Sequence, residues 1–134
     1  MCDDGHLPKN EHGELLAELS SSYARLHVNQ TQPGYCVVIS KRHASELHEL
    51  SPEELSGFWN DVASVGRAIA ELLQPVKIDS LVMGHLCPHV HCHVYPQYES
   101  NDPHSIDHIN VQRGDVRLSP NDWRERVDAL RARL

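Results

Sequence analysis

The alternation of histidine with small apolar residues in residues 89–94 constrains the fold of this chain most. The stretch is His-Val-His-Cys-His-Val, so His89, His91 and His93 recur at every second position. A period of two is typical of a β-strand with one buried and one accessible face. The valines and the cysteine suit a core, which leaves the histidines on the accessible face. Pro96 lacks the N–H that a sheet requires, and we predict that the strand ends there.

Three imidazoles on one strand face suit acid–base and nucleophilic chemistry. Histidine is the side chain whose unperturbed pKa lies nearest neutrality. A neutral ring offers a nucleophilic nitrogen, whereas a protonated ring stabilises an anion. Because neighbouring rings oppose one another's protonation, one ring can stay neutral while another carries a proton. Phosphoryl or nucleotidyl transfer needs this combination, since a nucleophile must approach phosphorus while negative charge is neutralised.

Zinc binding is an alternative interpretation of the same residues. Imidazole is a zinc ligand at about 2.0 Å. The first and third histidines lie four residues apart, which on a strand separates their Cα atoms by about 13 Å. One tetrahedral ion would therefore bind only two of them, and a zinc hydrolase or zinc-binding protein would add His43 or His85. A histidine-rich strand without a chemical role also remains open.

Together with its flanks, the alternating stretch resembles the histidine triad (HIT) family of nucleotide hydrolases and transferases. A Gly-x-x-x-Pro segment at 84–88 precedes it. Residues 33–43 resemble the family's Pro-Gly, apolar strand and Lys-Arg-His segment. Residues 51–55 resemble the start of its main helix, and residues 77–79 resemble the start of the next strand. The resemblance extends over roughly residues 22–98.

The resemblance implies roles for individual residues. His91 would be the nucleophile that attacks the α-phosphorus and forms a nucleotidyl-histidine, which water or another acceptor then resolves. His89 and His93 would orient this ring or contact phosphate, and His43 would join the cluster. Asn29, near the end of the first predicted strand, would hold the ribose hydroxyls. The substrate would be a purine nucleotide derivative, such as a dinucleoside polyphosphate or a nucleoside phosphoramidate. No cofactor would be required, and a divalent metal is compatible but not implied.

Four positions depart from the family's pattern. Asp79 stands where relatives often have Asn, and His85 stands where Gln or Asn is common near the phosphates. Both are candidate substrate-binding residues. Leu86 lacks the hydroxyl that some branches use to assist the leaving group, and Gln97 stands where Arg often follows the proline. These departures leave the nucleophile in place but keep a further alternative open, a nucleotide-binding module with weak catalysis.

Length and composition favour one domain over residues 1–134, with residues 1–12 flexible and residues 97–118 forming an irregular flap. The chain has 12 Lys and Arg against 19 Asp and Glu, a net charge of −7. An acidic surface argues against nucleic-acid partners and anionic membranes. Neither a secretory signal nor an apolar run of the ~18 residues that a membrane span needs is apparent. Four cysteines without Cys-x-x-Cys spacing indicate buried thiols in a reducing, cytoplasmic setting.

Local patterns predict the remaining elements. We expect a short helix or an irregular lead-in at 14–19, and strands at 23–28, 35–40, 78–84 and the triad. Ser51-Pro52-Glu53-Glu54 is a capping box that predicts a long helix to about residue 73, and Ser119-Pro120 opens a last helix. The fold class is therefore α+β with a mainly antiparallel sheet. The residues support four strands, whereas the resemblance implies a five-stranded sheet and a homodimer.

Overall fold

The fold is an antiparallel β-sheet with two helices packed on one face. A computed structural model describes residues 4–134. The strands are β1 (Lys9–Asn10), β2 (Gly13–Glu18), β3 (Ser22–His27), β4 (Cys36–Ser40), β5 (Lys77–Val82) and β6 (His91–Gln97), and the helices are α1 (Pro52–Leu73) and α2 (Pro120–Arg131). The sheet order is β1-β2-β3-β4-β6-β5, and every neighbouring pair is antiparallel. Short 3₁₀ turns lie at Leu47–Glu49 and Ile106–Ile109.

This architecture confirms the α+β class, the antiparallel sheet and both predicted helices. The sheet has six strands, however, where the resemblance implied five. Residues 14–19 were predicted as a short helix or an irregular lead-in, and that prediction is wrong because most of this segment belongs to β2. Its Glu, Leu and Ala residues favour a helix. Pairing with β3 and burial of Leu16 in the core outweigh that local preference.

The triad strand begins and ends later than its sequence predicts. It starts at His91 and continues through Pro96 to Gln97, so Pro96 does not end it. The pairing of β6 with β4 stops at Val94, and beyond that point β6 pairs with β5 alone. Pro96 is accommodated there because β6 has no partner strand on its β4 side at this residue. The N–H that proline lacks is therefore not needed for pairing.

Helix α1 begins where the capping box predicts. Ser51 Oγ accepts from the Glu54 backbone N–H at 3.2 Å, and the Glu54 carboxylate accepts from the Ser51 N–H at 2.8 Å. The helix ends at Leu73, where Gln74 adopts a left-handed conformation with φ of 50°. Phe58 and Ile69 on its inner face are fully buried in the main core. The helix thereby covers one face of the sheet and leaves the other face for different contacts.

The face of the sheet opposite α1 carries two irregular segments. Residues 4–12 lie over β3 and β4, where the buried Arg25 donates to the carbonyl oxygens of Gly5, Leu7 and Gly13. The flap was predicted at residues 97–118; Gln97 belongs to β6, and the rest of the segment contains Val111, which packs into a second apolar cluster on this face. The predicted flexibility of residues 1–12 stays a prediction, and residues 1–3 lie outside the described part of the chain. No helix in residues 4–134 is long and apolar enough to cross a membrane.

Helix α2 is attached to the sheet through the carboxylate of Glu14. The carboxylate, which is nearly buried, accepts from Trp123 Nε1 at 2.6 Å, Arg124 at 3.2 Å and Arg131 at 3.5 Å. Burial alone would raise the pKa of Glu14. The hydrogen bond from Trp123 and the charges of the two arginines outweigh burial, and the net pKa is lower than the ordinary 4.5. The ionised carboxylate therefore stabilises the fold.

We expect Glu14→Gln to lower the free energy of unfolding at pH 7 by about 1–3 kcal/mol, because charge-assisted hydrogen bonds are lost. Since the folded-state pKa of Glu14 is lowered, its contribution is present above pH 4.5 and is lost as the pH falls through the folded-state value. The free energies of unfolding of the wild type and Glu14→Gln should therefore converge at low pH. Urea unfolding of both proteins from pH 7 to pH 3 measures this difference. Glu18→Gln, which removes an exposed partner of Lys41, is the matched control and should change stability by less than about 0.5 kcal/mol. A constant difference between Glu14→Gln and the wild type at all pH values would contradict the assignment.

Candidate active site

The register between β4 and β6 places the triad on the face opposite α1. His91 lies opposite Ile39, and His93 lies opposite Val37. His89 precedes β6 and is held there because Val90 exchanges backbone hydrogen bonds with neighbouring segments. All three imidazoles are buried, His91 to the greatest extent with 3% exposure. The face that the sequence predicts to be accessible is therefore largely buried at the three histidines.

One hydrogen bond fixes the orientation of His91. Its Nδ1 lies 2.6 Å from the carbonyl oxygen of His89, so Nδ1 carries the proton and donates. The lone pair of the neutral ring is consequently on Nε2. Ser22 Oγ is the single buried side-chain nitrogen or oxygen in residues 4–134 that lacks a partner. His91 Nε2 makes no hydrogen bond in residues 4–134, so its lone pair has no use within the described part of the chain. A lone pair held in this way can act as a nucleophile.

His89 and His43 form a hydrogen-bonded pair. His89 Nε2 donates to the Ser40 carbonyl at 2.7 Å, which leaves its Nδ1 as an acceptor in the neutral ring. His43 Nδ1 lies 3.0 Å from that atom and is placed to donate to it. His43 is exposed, whereas His89 is buried. The pair therefore connects the interior of the cluster with the surface, and a proton can be exchanged between its two Nδ1 atoms.

His93 is held by a tyrosine from the neighbouring strand. Its Nδ1 lies 2.7 Å from the hydroxyl of Tyr35, and its ring centre is 5.0 Å from that of His91. Burial, together with the nearby His91 and His27, lowers the pKa of His93 to about 4. Burial likewise lowers the pKa of His91, although its hydrogen bond to the His89 carbonyl opposes the shift. At pH 7 both rings are neutral, as a nucleophile requires.

An open pocket of 290 Å³ adjoins His89 and His91. It is lined by residues 45–48, 82–84 and 89–91. In the described chain this lining includes Ser45, Glu46 and three histidines but neither Lys nor Arg. The volume lies near the lower end of the range for small-molecule sites. Negative charge brought into this pocket would have to be stabilised by imidazoles and backbone N–H groups.

The opposite side of the same sheet face is nearly closed. A cavity of 20 Å³ lies between Asn10, His12, Arg25 and His27, over Val37 and Ile39. This space can hold a water molecule but not a nucleobase. The closure follows from the segment at residues 4–12, which Arg25 fastens to the sheet. Of these two spaces, only the pocket beside residues 45–48 is large enough for a small molecule.

Asn29, the predicted ribose-binding residue, lies away from the four histidines and uses its amide within the protein. Its Oδ1 accepts from the backbone N–H and the hydroxyl of Thr31 at 3.0 and 2.7 Å. Its Nδ2 donates to the carbonyl oxygens of Arg113 and Gly114 at 3.2 and 2.9 Å. These contacts attach the flap to the turn that follows β3. A role in ribose binding stays a prediction and would require competition with these bonds.

Of the other two candidate substrate-binding residues, Asp79 lies within β5 and His85 lies in the loop that follows this strand. Asp79 projects to the triad face, where its carboxylate accepts from Gln97 Nε2 at 3.0 Å. Gln97 also donates to the carbonyl of His108, so this position, where relatives often have Arg, holds the flap. His85 is exposed between β5 and β6 and makes no hydrogen bond or ring contact in residues 4–134. Leu86 beside it is 88% exposed.

Tyr35 and His27 also belong to the site, although no pattern in the amino-acid sequence identified them. The two rings stack at 4.4 Å, and Tyr35 contacts His93. Alternation in residues 35–40 places Tyr35 on one face with Val37, but it does not say which strand is adjacent. The register of β4 against β6 is the missing information. Had that pairing been assumed, Tyr35 would have been expected beside the third histidine.

The described residues do not form a metal site of three or more ligands. In residues 4–134, no three His, Cys, Asp or Glu side chains converge on one position suitable for a metal ion. The contact between His43 and His89 instead joins two ring nitrogens directly. The expectation that no cofactor is required stays a prediction.

Comparison with known proteins connects this arrangement with one family. The HIT domain family matches residues 9–100. An adenosine 5′-monophosphoramidase from Schizosaccharomyces pombe is 34% identical over 83 residues, or 61% of this chain and 62% of that protein. An asymmetrical bis(5′-nucleosyl)-tetraphosphatase from the same organism is 27% identical over 85 residues, or 60% of this chain and 47% of that protein. This chain thus spans less than two thirds of the length of either relative.

Solved structures show the same fold. A histidine triad protein from Bradyrhizobium japonicum matches with a TM-score of 0.81 at 17% identity. The match covers 92% of this chain and 91% of that chain. At this level of identity the similarity supports the architecture, whereas residue roles depend on the geometry described above.

The buried rings should titrate below the ordinary histidine pKa. We expect NMR titration to give a pKa of about 4 for His93 and a value below 6.5 for His91, because burial disfavours their charged forms. Because these pKa values are lower in the folded chain, the same histidines of the unfolded chain are protonated at higher pH. The free energy of unfolding should therefore decrease as the pH falls from 6.5 toward 4. His93→Asn identifies the His93 resonances. A His93 midpoint at 6.5 or above would contradict the desolvated environment assigned to this ring.

Proposed function

Because the chain belongs to the HIT domain family, we propose that it is a nucleotidyl hydrolase or transferase with His91 as its nucleophile. The observation that carries the proposal is the hydrogen bond from His91 Nδ1 to the His89 carbonyl at 2.6 Å. That bond leaves the Nε2 lone pair of a neutral ring without a partner in residues 4–134, and His91 lines the 290 Å³ pocket. The reaction would take place at the α-phosphorus of a nucleotide derivative.

The proposed reaction has two displacements at phosphorus. In the first, the His91 Nε2 lone pair forms a bond to the α-phosphorus, and the bond from phosphorus to the leaving oxygen or nitrogen breaks with its electron pair. The leaving group takes a proton. In the second, water or another acceptor attacks the same phosphorus, loses a proton, and the bond between Nε2 and phosphorus breaks. The ring returns to its neutral form with its proton still on Nδ1.

The other histidines would manage charge and protons during these steps. The pocket lining contributes no Lys or Arg within the described chain, so positive charge must come from protonated imidazole. His43 is exposed and hydrogen-bonded to His89, which supports a path for protons between the cluster and solvent. His93 would donate to a phosphoryl oxygen from Nε2. Such donors act most strongly where negative charge develops in the transition state.

The proposed substrates are purine nucleotide derivatives, either nucleoside phosphoramidates or dinucleoside polyphosphates. The two Schizosaccharomyces pombe relatives carry the names of these two activities, which supports testing both substrate classes. Both classes share an α-phosphorus joined to a group that can leave. The exposed Leu86 offers no hydroxyl to assist that departure. The leaving group would therefore depend on histidine or on solvent for its proton.

We expect His91→Asn to lower kcat about 10³-fold or more on any substrate that the wild type turns over, because the nucleophile is lost. Asn can retain a hydrogen bond to the His89 carbonyl, so the local fold should persist. His104→Asn changes an exposed flap histidine and should retain wild-type kcat. Acid-quenched wild type should also carry a nucleotidyl adduct on His91 by mass spectrometry. Full turnover by His91→Asn would refute the nucleophilic role, whereas tight nucleotide binding without product over hours would favour a binding module.

We also propose the homodimer that the resemblance implies. Strand β5 is an edge of the sheet in the described chain, and Val76 and Met83 beside it are exposed. An edge strand with exposed apolar neighbours favours pairing with a second chain. Sedimentation equilibrium should give twice the 15.2 kDa of one chain. A single 15.2 kDa species at micromolar concentration would refute the dimer.

A further inference from the structure

We propose that Tyr35 is a positioning residue that fixes the tautomer of His93, so that His93 presents an N–H at Nε2 to the substrate. The proposal rests on the nucleotidyl-transfer function proposed above. Tyr35 would not contact the reacting atoms and would act through the imidazole alone. Tyr35 directly precedes β4, and its hydroxyl is the side-chain group that forms a hydrogen bond with the His93 ring.

The direction of the hydrogen bond follows from the burial of Tyr35. Its side chain is 2% exposed, and the hydroxyl oxygen lies 2.7 Å from His93 Nδ1. In residues 4–134 the hydroxyl has no other hydrogen-bond partner. If Nδ1 carried the proton, the buried hydroxyl hydrogen would have no acceptor, which costs the full desolvation penalty of that group. Tyr35 therefore donates, and Nδ1 accepts.

Two aromatic contacts hold the phenol ring in this position. The ring of His27 stacks on it with centroids 4.4 Å apart and an interplanar angle of 24°. The ring of Tyr95 meets it edge-on, with centroids 5.0 Å apart. His27 is itself oriented, because its Nδ1 accepts from the Asn29 backbone N–H at 3.0 Å. The hydroxyl thus has a fixed place from which to donate.

The consequence for His93 is a defined donor beside the nucleophile. When Nδ1 accepts from Tyr35, the proton of the neutral ring resides on Nε2. His93 Nε2 has no hydrogen-bond partner in residues 4–134, so its proton is available to a group brought into the site. The rings of His91 and His93 are 5.0 Å apart. The opposite tautomer would present a second lone pair to the phosphoryl oxygens and repel them.

The groups that face His93 favour a neutral ring. His91 lies beside it on β6, and His27 lies beyond Tyr35 on β3. Tyr95 is the next residue on the same face, and Arg113 of the flap lies near Tyr95. Charges on the neighbouring histidines disfavour protonation of His93, as burial does. Tyr35 therefore selects the tautomer of the neutral His93 ring and does not determine its charge.

Tyr35→Phe tests the proposal, with Tyr95→Phe as the matched control. Each substitution removes one hydroxyl from a buried tyrosine on this face. The Tyr95 hydroxyl donates to the Asn110 carbonyl and contacts no triad ring. We expect Tyr35→Phe to lower kcat about tenfold with KM changed less than about twofold, since one hydrogen bond that acts in the transition state loses its support. Tyr95→Phe should leave both constants within about twofold.

Two further measurements separate positioning from a merely structural role. Nitrogen-15 NMR of labelled histidine should show His93 with the proton on Nε2 in the wild type and in Tyr95→Phe, and a mixture of tautomers in Tyr35→Phe. In a His93→Asn background, the Tyr35→Phe change should alter kcat less than about twofold, because its target is absent.

A wild-type His93 with the proton on Nδ1 would overturn the proposal. An unchanged tautomer and unchanged kcat in Tyr35→Phe would overturn it too, as would a tenfold loss that persists in the His93→Asn background. Full turnover by His91→Asn would instead refute the nucleotidyl-transfer function. If no substrate is turned over, the NMR spectra still decide whether Tyr35 selects the tautomer.

Discussion

The antiparallel register between β4 and β6 is the constraint on which the site depends. It sets Val37 against His93 and Ile39 against His91, which sends the histidines to one face and Cys92 and Val94 to the other. A slip of one residue would exchange the faces and put imidazoles beneath α1. Helix α1 and the fully buried apolar residues under it oppose that slip, because ring nitrogens without partners would be buried in the core. The packing of the apolar core therefore fixes which side chains of β6 lie on the opposite face, where the histidines are.

The triad rings are stable in their buried position because each uses one nitrogen for a fixed partner. His89 Nε2 bonds to the Ser40 carbonyl, His91 Nδ1 to the His89 carbonyl, and His93 Nδ1 to the Tyr35 hydroxyl. The remaining nitrogen of His89 is bonded to His43, whereas Nε2 of His91 and Nε2 of His93 have no partner in residues 4–134. Desolvation keeps His91 and His93 neutral in the absence of a ligand. A bound anion favours the charged form of a nearby imidazole, so a phosphate bound beside His91 and His93 would favour their protonation.

Local sequence patterns predicted those parts of the structure that local physics decides. The period of two placed the histidines on one face, and the capping box at Ser51 marked the start of α1. Non-local pairing decided the rest. Residues 14–19 have helical preferences that β3 overrides, and Pro96 is accepted in β6 because β4 has already ended there. The contact of Tyr35 with His93 depends on the register between two strands. Asn29 holds the flap through a segment more than 80 residues away in the chain. No periodicity within either stretch contains that information.

The covering of the triad face restricts how a substrate can approach His91. The buried guanidinium of Arg25 bonds to the carbonyl oxygens of Gly5 and Gly13 and keeps residues 4–12 over β3 and β4. Because the cavity beneath them measures 20 Å³, a nucleobase cannot enter there without displacing that segment. The 290 Å³ pocket beside residues 45–48 adjoins His91, the proposed nucleophile, but it is smaller than a dinucleoside polyphosphate requires. Part of such a substrate would extend into solvent, where it contributes little to binding. Under the proposed function, discrimination between substrates would then come from the groups next to phosphorus, where His91 and its neighbours are proposed to act.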